Sequence, residues 1–228
     1  MIKAPQGGGG KKYVAQPNID PGVYPARIVQ VIDMGLQPQR PFKGAEKKPA
    51  YEIGFTYELV DTFVVDEDGN EQEDKPRWIS EVLPLHPLVA DKAKSTQRYT
   101  ALDPEGVLEG DFSKLADIPC NVTIVNNKSG DKVYDNIASI AAMRPRDAAK
   151  CPELVNPVKV FSLDDPDLEV FNKLPNWIQD KIKSNLNYKG SKLEKLLGGK
   201  PVAKAEPEVD VGDSNGGPPF DVDEDAPY

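Results

Sequence analysis

The segment that most restricts the fold of this chain is AYEIGFTYELVD, residues 50–61. Large apolar side chains alternate through it with Glu, Gly and Thr, and a period of two is typical of a strand with one apolar face. Similar β-rich segments precede it (GVYPARIVQVIDMG) and follow it (RWISEVLP), and two more, PCNVTIVNN and VYDNIASIAAM, lie further along the chain. The chain is therefore predicted to be mainly β, with five strands.

A helix is predicted between the third and fourth strands, at residues 87–102, where a proline opens the segment PLVADKAKSTQRYTAL. Three strands, a helix and two strands is the order expected of a five-stranded OB-fold barrel, a small and partly open Greek-key barrel. Other small barrels and α+β sandwiches produce the same order of elements and stay open as alternatives.

Changes in composition divide the chain into four predicted parts. Residues 1–18 contain four consecutive glycines and are expected to form a flexible arm, and residues 19–147 hold the five strands of the barrel domain. Residues 148–199 carry apolar side chains at three- and four-residue spacing, which predicts a helical extension packed on the barrel. The alternative is that this apolar stripe forms a homodimer or partner contact. Residues 200–228 have almost no aliphatic side chains and are predicted to be a disordered acidic tail.

The charge is distributed unevenly. The whole chain has a net charge of −9, but residues 201–228 carry −7 of it and residues 1–200 only −2. Because the body is nearly neutral, one of its faces can still be basic, so the net charge does not argue against a nucleic-acid ligand.

Several other classes of protein are disfavoured by what the sequence lacks. It has two cysteines, Cys120 and Cys151, in no metal-binding spacing, and a single histidine, His86, with no apparent nucleophile to serve. It also has no catalytic motif and no apolar run long enough to span a membrane. We therefore expect a cytoplasmic protein that is not an enzyme, uses no cofactor or metal and does not bind a membrane.

Cations and aromatic side chains occur together at several places in the body. Single-stranded nucleic acid is bound by such pairs, because cations follow the phosphates and aromatic rings stack on the bases. Phe42, in a proline-rich cationic loop, is the strongest stacking candidate, whereas Tyr51, Phe55, Tyr57 and Trp78 could equally belong to the core. The candidate single-stranded DNA-binding residues are Arg40, Phe42, Lys43, Lys47, Lys48, Tyr57, Arg77, Trp78, Lys94, Arg98, Tyr99, Lys128, Lys132 and Tyr134.

The chain ends in PPFDVDEDAPY, an acidic run that stops on a proline and an aromatic residue. A tethered acidic segment can compete with nucleic acid for a cationic groove, and its aromatic end can enter a hydrophobic pocket on a partner. The residues predicted to bind a partner are Phe220, Asp221, Asp223, Glu224, Asp225, Pro227 and Tyr228.

This ending resembles the C-terminal tip of bacterial single-stranded DNA-binding proteins. The segments GVYPARIVQVIDMG, YDNIASI and FNKLPNWIQDKI resemble bacteriophage single-stranded DNA-binding proteins from replication and recombination cassettes. The resemblance implies an OB-fold, sequence-independent binding of single-stranded DNA in the cytoplasm of the bacterial host, and recruitment of replication or recombination proteins by the tail. The alternative function is a protein–protein adaptor of such a complex that does not contact DNA.

Overall fold

The computed structural model describes residues 15–41 and 43–198. Its strands are β1 (Gly22–Gln37), β2 (Ala50–Val65), β3 (Glu71–Pro84), β4 (Pro119–Ser129), β5 (Lys132–Ala142) and β6 (Lys159–Phe161). Its helices are α1 (Lys94–Leu102), α2 (Pro145–Ala148), α3 (Leu168–Asn172), α4 (Asn176–Lys183) and α5 (Lys192–Leu196), with a 3₁₀ turn at Phe112–Leu115. The expectation of a mainly β chain is confirmed, as is a helix between the third and fourth strands, although that helix begins seven residues later than predicted.

The first five strands form one antiparallel sheet in the order β3-β2-β1-β4-β5. The short strand β6, which is not predicted from the sequence, runs parallel to β1 at residues 30–32. Within the described residues β3 and β5 are the two edges of this path and are not paired with each other. A closed five-stranded barrel is therefore not confirmed, and the sheet is open between these two strands.

One apolar core lies on the inner face of the sheet, which we define as the face that bears Ile53, Phe55, Tyr57 and Leu59. These four side chains are at most 4% exposed, because α1 and the 3₁₀ turn lie over them. The ring of Phe112 packs against Phe55 and Tyr99, with ring centroids 6.2 and 4.8 Å apart. The apolar side chains that alternate in residues 50–61 accordingly lie on one face of β2, as a period of two requires, and that face is buried.

A second core lies on the opposite, outer face. Ile32 and Met34 of β1 project there and pack against apolar side chains of residues 149–198, which we call the C-terminal extension: Phe161, Phe171, Leu174, Ile178, Ile182 and Leu193. Gly35 lets the extension come close, because a side chain at its position would meet Asn185 and Leu163 within 3 Å. Both faces of the sheet are thus covered where β1 and β2 run together.

The N-terminal residues 15–18, predicted to be part of a flexible arm, lie against the sheet. The Gln16 side chain exchanges two hydrogen bonds with the backbone of Val65, at 3.0 and 2.8 Å. The Asn18 amide donates to Asp135 at 2.6 Å. These residues therefore connect the end of β2 to the start of β5. None of the helices in the described ranges is long and apolar enough to cross a lipid bilayer.

Candidate nucleic-acid interface

Most of the predicted cations meet at one end of the sheet, which we call the rim. There β1 ends, β2 begins and β3 ends: Gln37 pairs with Ala50, and Glu52 pairs with Pro84. The backbone N–H of Leu85 then donates to the carbonyl of Tyr51 at 2.6 Å. Because of this register, the β1–β2 loop (38–49) and the β3–α1 loop (85–93) leave the sheet side by side.

The rim loops carry a cluster of cations. Arg40, Lys43, Lys47 and Lys48 are all exposed on the β1–β2 loop, and Glu46 is the one acid between them. Lys94 is the first residue of α1, so it follows directly from the β3–α1 loop. Phe42, the strongest stacking candidate in the sequence, lies outside the described residues.

Tyr51 supplies an aromatic ring at the rim and is not among the DNA-binding residues predicted from the sequence. Its side chain is 53% exposed, although it has the same strand parity as the buried Phe55 and Tyr57. The difference arises because Tyr51 is the second residue of β2, beyond the part of the sheet that the inner core covers. Its position directly after the proline-rich cationic loop is the sequence signal that could have identified it.

Tyr57 and Arg98 are structural residues of the inner core. The Tyr57 hydroxyl donates to Glu81 Oε1 at 2.9 Å, and burial raises the pKa of Tyr57 well above its ordinary value. Arg98 forms a two-point ion pair with the same carboxylate, Nε to Oε1 at 2.9 Å and Nη2 to Oε2 at 3.1 Å. Neither side chain is more than 3% exposed, so neither presents a face to a nucleic acid.

Trp78, Tyr99 and Arg77 are also removed from the interface by burial, at 9%, 1% and 4% exposure. The indole N–H of Trp78 donates to Glu58 at 3.0 Å, on the outer face. The Tyr99 hydroxyl donates to Asp103 at 3.1 Å, and Arg77 donates to the carbonyl of Pro17 at 2.7 Å. The alternation of cations and aromatics in the sequence therefore does not become a continuous exposed stripe, because the polar ends of these side chains have partners inside the fold.

Lys128, Lys132 and Tyr134 lie at the other end of the sheet from the rim, around the β4–β5 turn. The lysines are exposed and the tyrosine is half-buried. This end also carries the β2–β3 turn and the start of β3, whose exposed acids are Glu67, Asp68, Glu71, Glu73 and Asp74. Apart from the buried Arg77 and Arg98, the predicted cations thus form two separate groups, and the group at this end has many acidic neighbours.

The outer face of β2 and β3 is occupied by protein. Glu58 of β2 accepts hydrogen bonds from the N–H of Val155 and the side chain of Asn156, both at 2.7 Å. Near the rim, Lys181 of α4 pairs with Glu52 at 2.7 Å. These polar contacts hold residues 155–181 against the strands, so a nucleic acid has no access to the middle of this face.

A further group of cations surrounds α2, where Arg144, Arg146 and Lys150 line a shallow depression. Arg144 pairs with Asp147 at 2.7 Å, and no aromatic ring lines the depression. In the described ranges no three His, Cys, Asp or Glu side chains are placed to bind a metal ion together. The seven predicted partner-binding residues of the tail lie outside the described residues.

No protein-family model matches this chain, and no curated protein matches its sequence significantly.

Proposed function

We propose that this chain binds single-stranded DNA without sequence preference, through the rim. The observation that carries the proposal is the exposed ring of Tyr51 at the base of a loop with four exposed cations, Arg40, Lys43, Lys47 and Lys48. A cationic path beside an aromatic face is the combination that holds a single strand irrespective of its sequence. A base stacked on such a ring contributes about 1–3 kcal/mol.

The finer assignment of the fold is part of the same proposal. The strand order β3-β2-β1-β4-β5, with a helix after β3, supports an OB-fold that is open between β3 and β5. Arg98 of α1 bridges this opening, because it pairs with Glu81 of β3 and donates to the carbonyls of Ile137 and Ala138 of β5. OB-folds bind oligonucleotides with the loop between their first two strands, which is the cationic loop of this chain.

The biological role that we propose is protection of single-stranded DNA during bacteriophage replication or recombination. The acidic tail then recruits partner proteins of that process and competes with DNA for the rim. Removing residues 218–228 should raise the affinity for DNA at low salt. An unchanged affinity would reject the competition and leave the DNA-binding proposal intact.

The experiment is a fluorescence-anisotropy titration of a labelled oligothymidine at two salt concentrations. Four phosphate contacts give a slope of log K against log salt of about −2.8, so raising the salt fourfold should weaken binding about 50-fold. The charge reversals K47E/K48E remove two phosphate contacts and should lower the affinity for oligothymidine about 60-fold at about 50 mM salt.

The matched control for these reversals is K173E/K195E, which changes the same net charge on exposed lysines of the C-terminal extension. We expect it to weaken binding less than threefold. Equal losses in the two double variants would contradict the assignment of the site to the rim. An absence of salt-dependent binding would refute the function and favour the adaptor that does not contact DNA.

A further inference from the structure

The C-terminal extension changes where a nucleic acid can bind on this sheet. In OB-folds the outer face of strands 2 and 3 is part of the binding surface. Here Glu58 and Trp78 lie on that face and are hydrogen-bonded to each other beneath residues 155 and 156. A strand of DNA crossing the face would have to displace the two hydrogen bonds that Val155 and Asn156 donate to this buried carboxylate. The middle of the outer face is therefore closed to the ligand.

The extension itself reaches the rim and is attached there at several points. The N–H of Leu186 donates to the carbonyl of Leu36 at 2.8 Å. The buried side chain of Gln37 donates to the carbonyl of Lys181 at 2.9 Å. The amide of Asn187 donates to the Tyr51 hydroxyl at 3.4 Å. Residues 184–190 therefore lie beside the end of β1 and the start of β2, at the base of the cationic loop.

The side chains that this segment exposes have the chemistry of a nucleic-acid contact. Leu186 is 54% exposed, and Asn187 and Lys189 are exposed as well. An apolar side chain can pack on a base or sugar, an amide can hydrogen-bond to a base or phosphate, and an ammonium can pair with a phosphate. The contact of Asn187 with the Tyr51 hydroxyl places this segment beside the aromatic ring.

We propose that the C-terminal extension forms the second wall of the single-stranded DNA site, with Leu186, Asn187 and Lys189 facing the ligand across from the β1–β2 loop. The proposal rests on the function proposed above and adds contact residues about 140 positions away in sequence from the cationic loop. The extension then has two roles, because it covers the outer face and also completes the site at the rim.

The test is the single charge reversal K189E, compared with K195E in the same extension. Lys195 is exposed on α5, so both variants change the net charge equally. One phosphate contact to a single strand corresponds to about eightfold in affinity at about 50 mM salt, and its loss lowers the salt slope by about 0.7. We expect K189E to show this loss and K195E to bind within about twofold of the unaltered protein.

A second measurement uses the unaltered chain and does not depend on the folding of a variant. An oligothymidine containing 4-thiothymidine is cross-linked by light, and the attached peptides are identified by mass spectrometry. Cross-links to residues 184–190 as well as to residues 38–51 are expected. Cross-links to residues 151–161 in place of 184–190 would overturn the proposal.

The outcomes separate this inference from the proposed function. If the chain binds oligothymidine and K47E/K48E weakens that binding, but K189E behaves like K195E, the second wall is refuted and the function stands. If the unaltered chain does not bind, both are refuted.

Discussion

Replacing Arg98 with methionine should destabilise the protein and leave the DNA site intact, although the sequence places Arg98 among the DNA-binding candidates. The guanidinium lies between α1, β3 and β5, where it pairs with both oxygens of Glu81 at 2.9 and 3.1 Å. It also donates to the carbonyls of Ile137 and Ala138 of β5, at 3.2 and 3.4 Å. One side chain thus connects the two edges of the sheet that backbone hydrogen bonds leave open.

The magnitude follows from burial. Methionine keeps much of the volume of arginine but leaves the Glu81 carboxylate buried without its cation. Removing one partner of a buried ion pair lowers the free energy of unfolding by about 3–5 kcal/mol, a large share of the roughly 5–15 kcal/mol that stabilises a domain. At about 2–4 °C per kcal/mol for a chain of this size, the thermal midpoint should fall by roughly 6–20 °C.

The assay is urea unfolding followed by far-UV circular dichroism, with E81Q, R98M and E81Q/R98M compared in a double-mutant cycle. The double variant should lose less stability than the two single variants lose in sum, because it leaves no unpaired buried charge. Oligothymidine affinity, measured where each variant is folded, should stay within about twofold of the unaltered protein. A loss of stability below about 1 kcal/mol in R98M, or a tenfold loss of affinity without a loss of stability, would refute the reasoning.

Two further predictions concern stability. Burial raises the pKa of the Cys120 thiol to about 12, so the folded chain keeps a proton that the unfolded chain releases above about pH 9. The free energy of unfolding should therefore fall as pH rises above about 9. Urea titrations at several pH values measure this fall, and C120A should make it less steep than C151A does. An equal slope in C120A and the unaltered protein would contradict this. G35A should cost about 1–3 kcal/mol, because Gly35 has a φ of 76° and an added Cβ would lie 2.7 Å from Asn185. The control G130A, at a φ of 60° in an open turn, carries only the backbone strain, and an equal loss of stability in both would show that the extension does not pack closely there.

The local features of this protein were predictable from its sequence. The alternation in residues 50–61 identified β2, since a period of two in side-chain polarity depends only on neighbouring residues. The helix after β3 was predicted from the proline that opens its segment, and the apolar stripe of the extension from its three- and four-residue spacing, and both signals are local. The cationic character of the β1–β2 loop was equally visible, because a loop rich in proline and lysine cannot be buried at low cost.

Tertiary structure alone decided which candidates are accessible. Tyr51 and Tyr57 have the same parity on one strand, yet one is 53% exposed and the other fully buried, because the inner core ends between them. Arg98 and Trp78 have charged and aromatic character typical of a DNA contact, but Glu81 and Glu58 meet them inside the fold. Residues 184–190 reach the rim only because the extension crosses the outer face. Burial and register depend on contacts between residues far apart in the chain, and a single sequence records side-chain chemistry without recording those contacts.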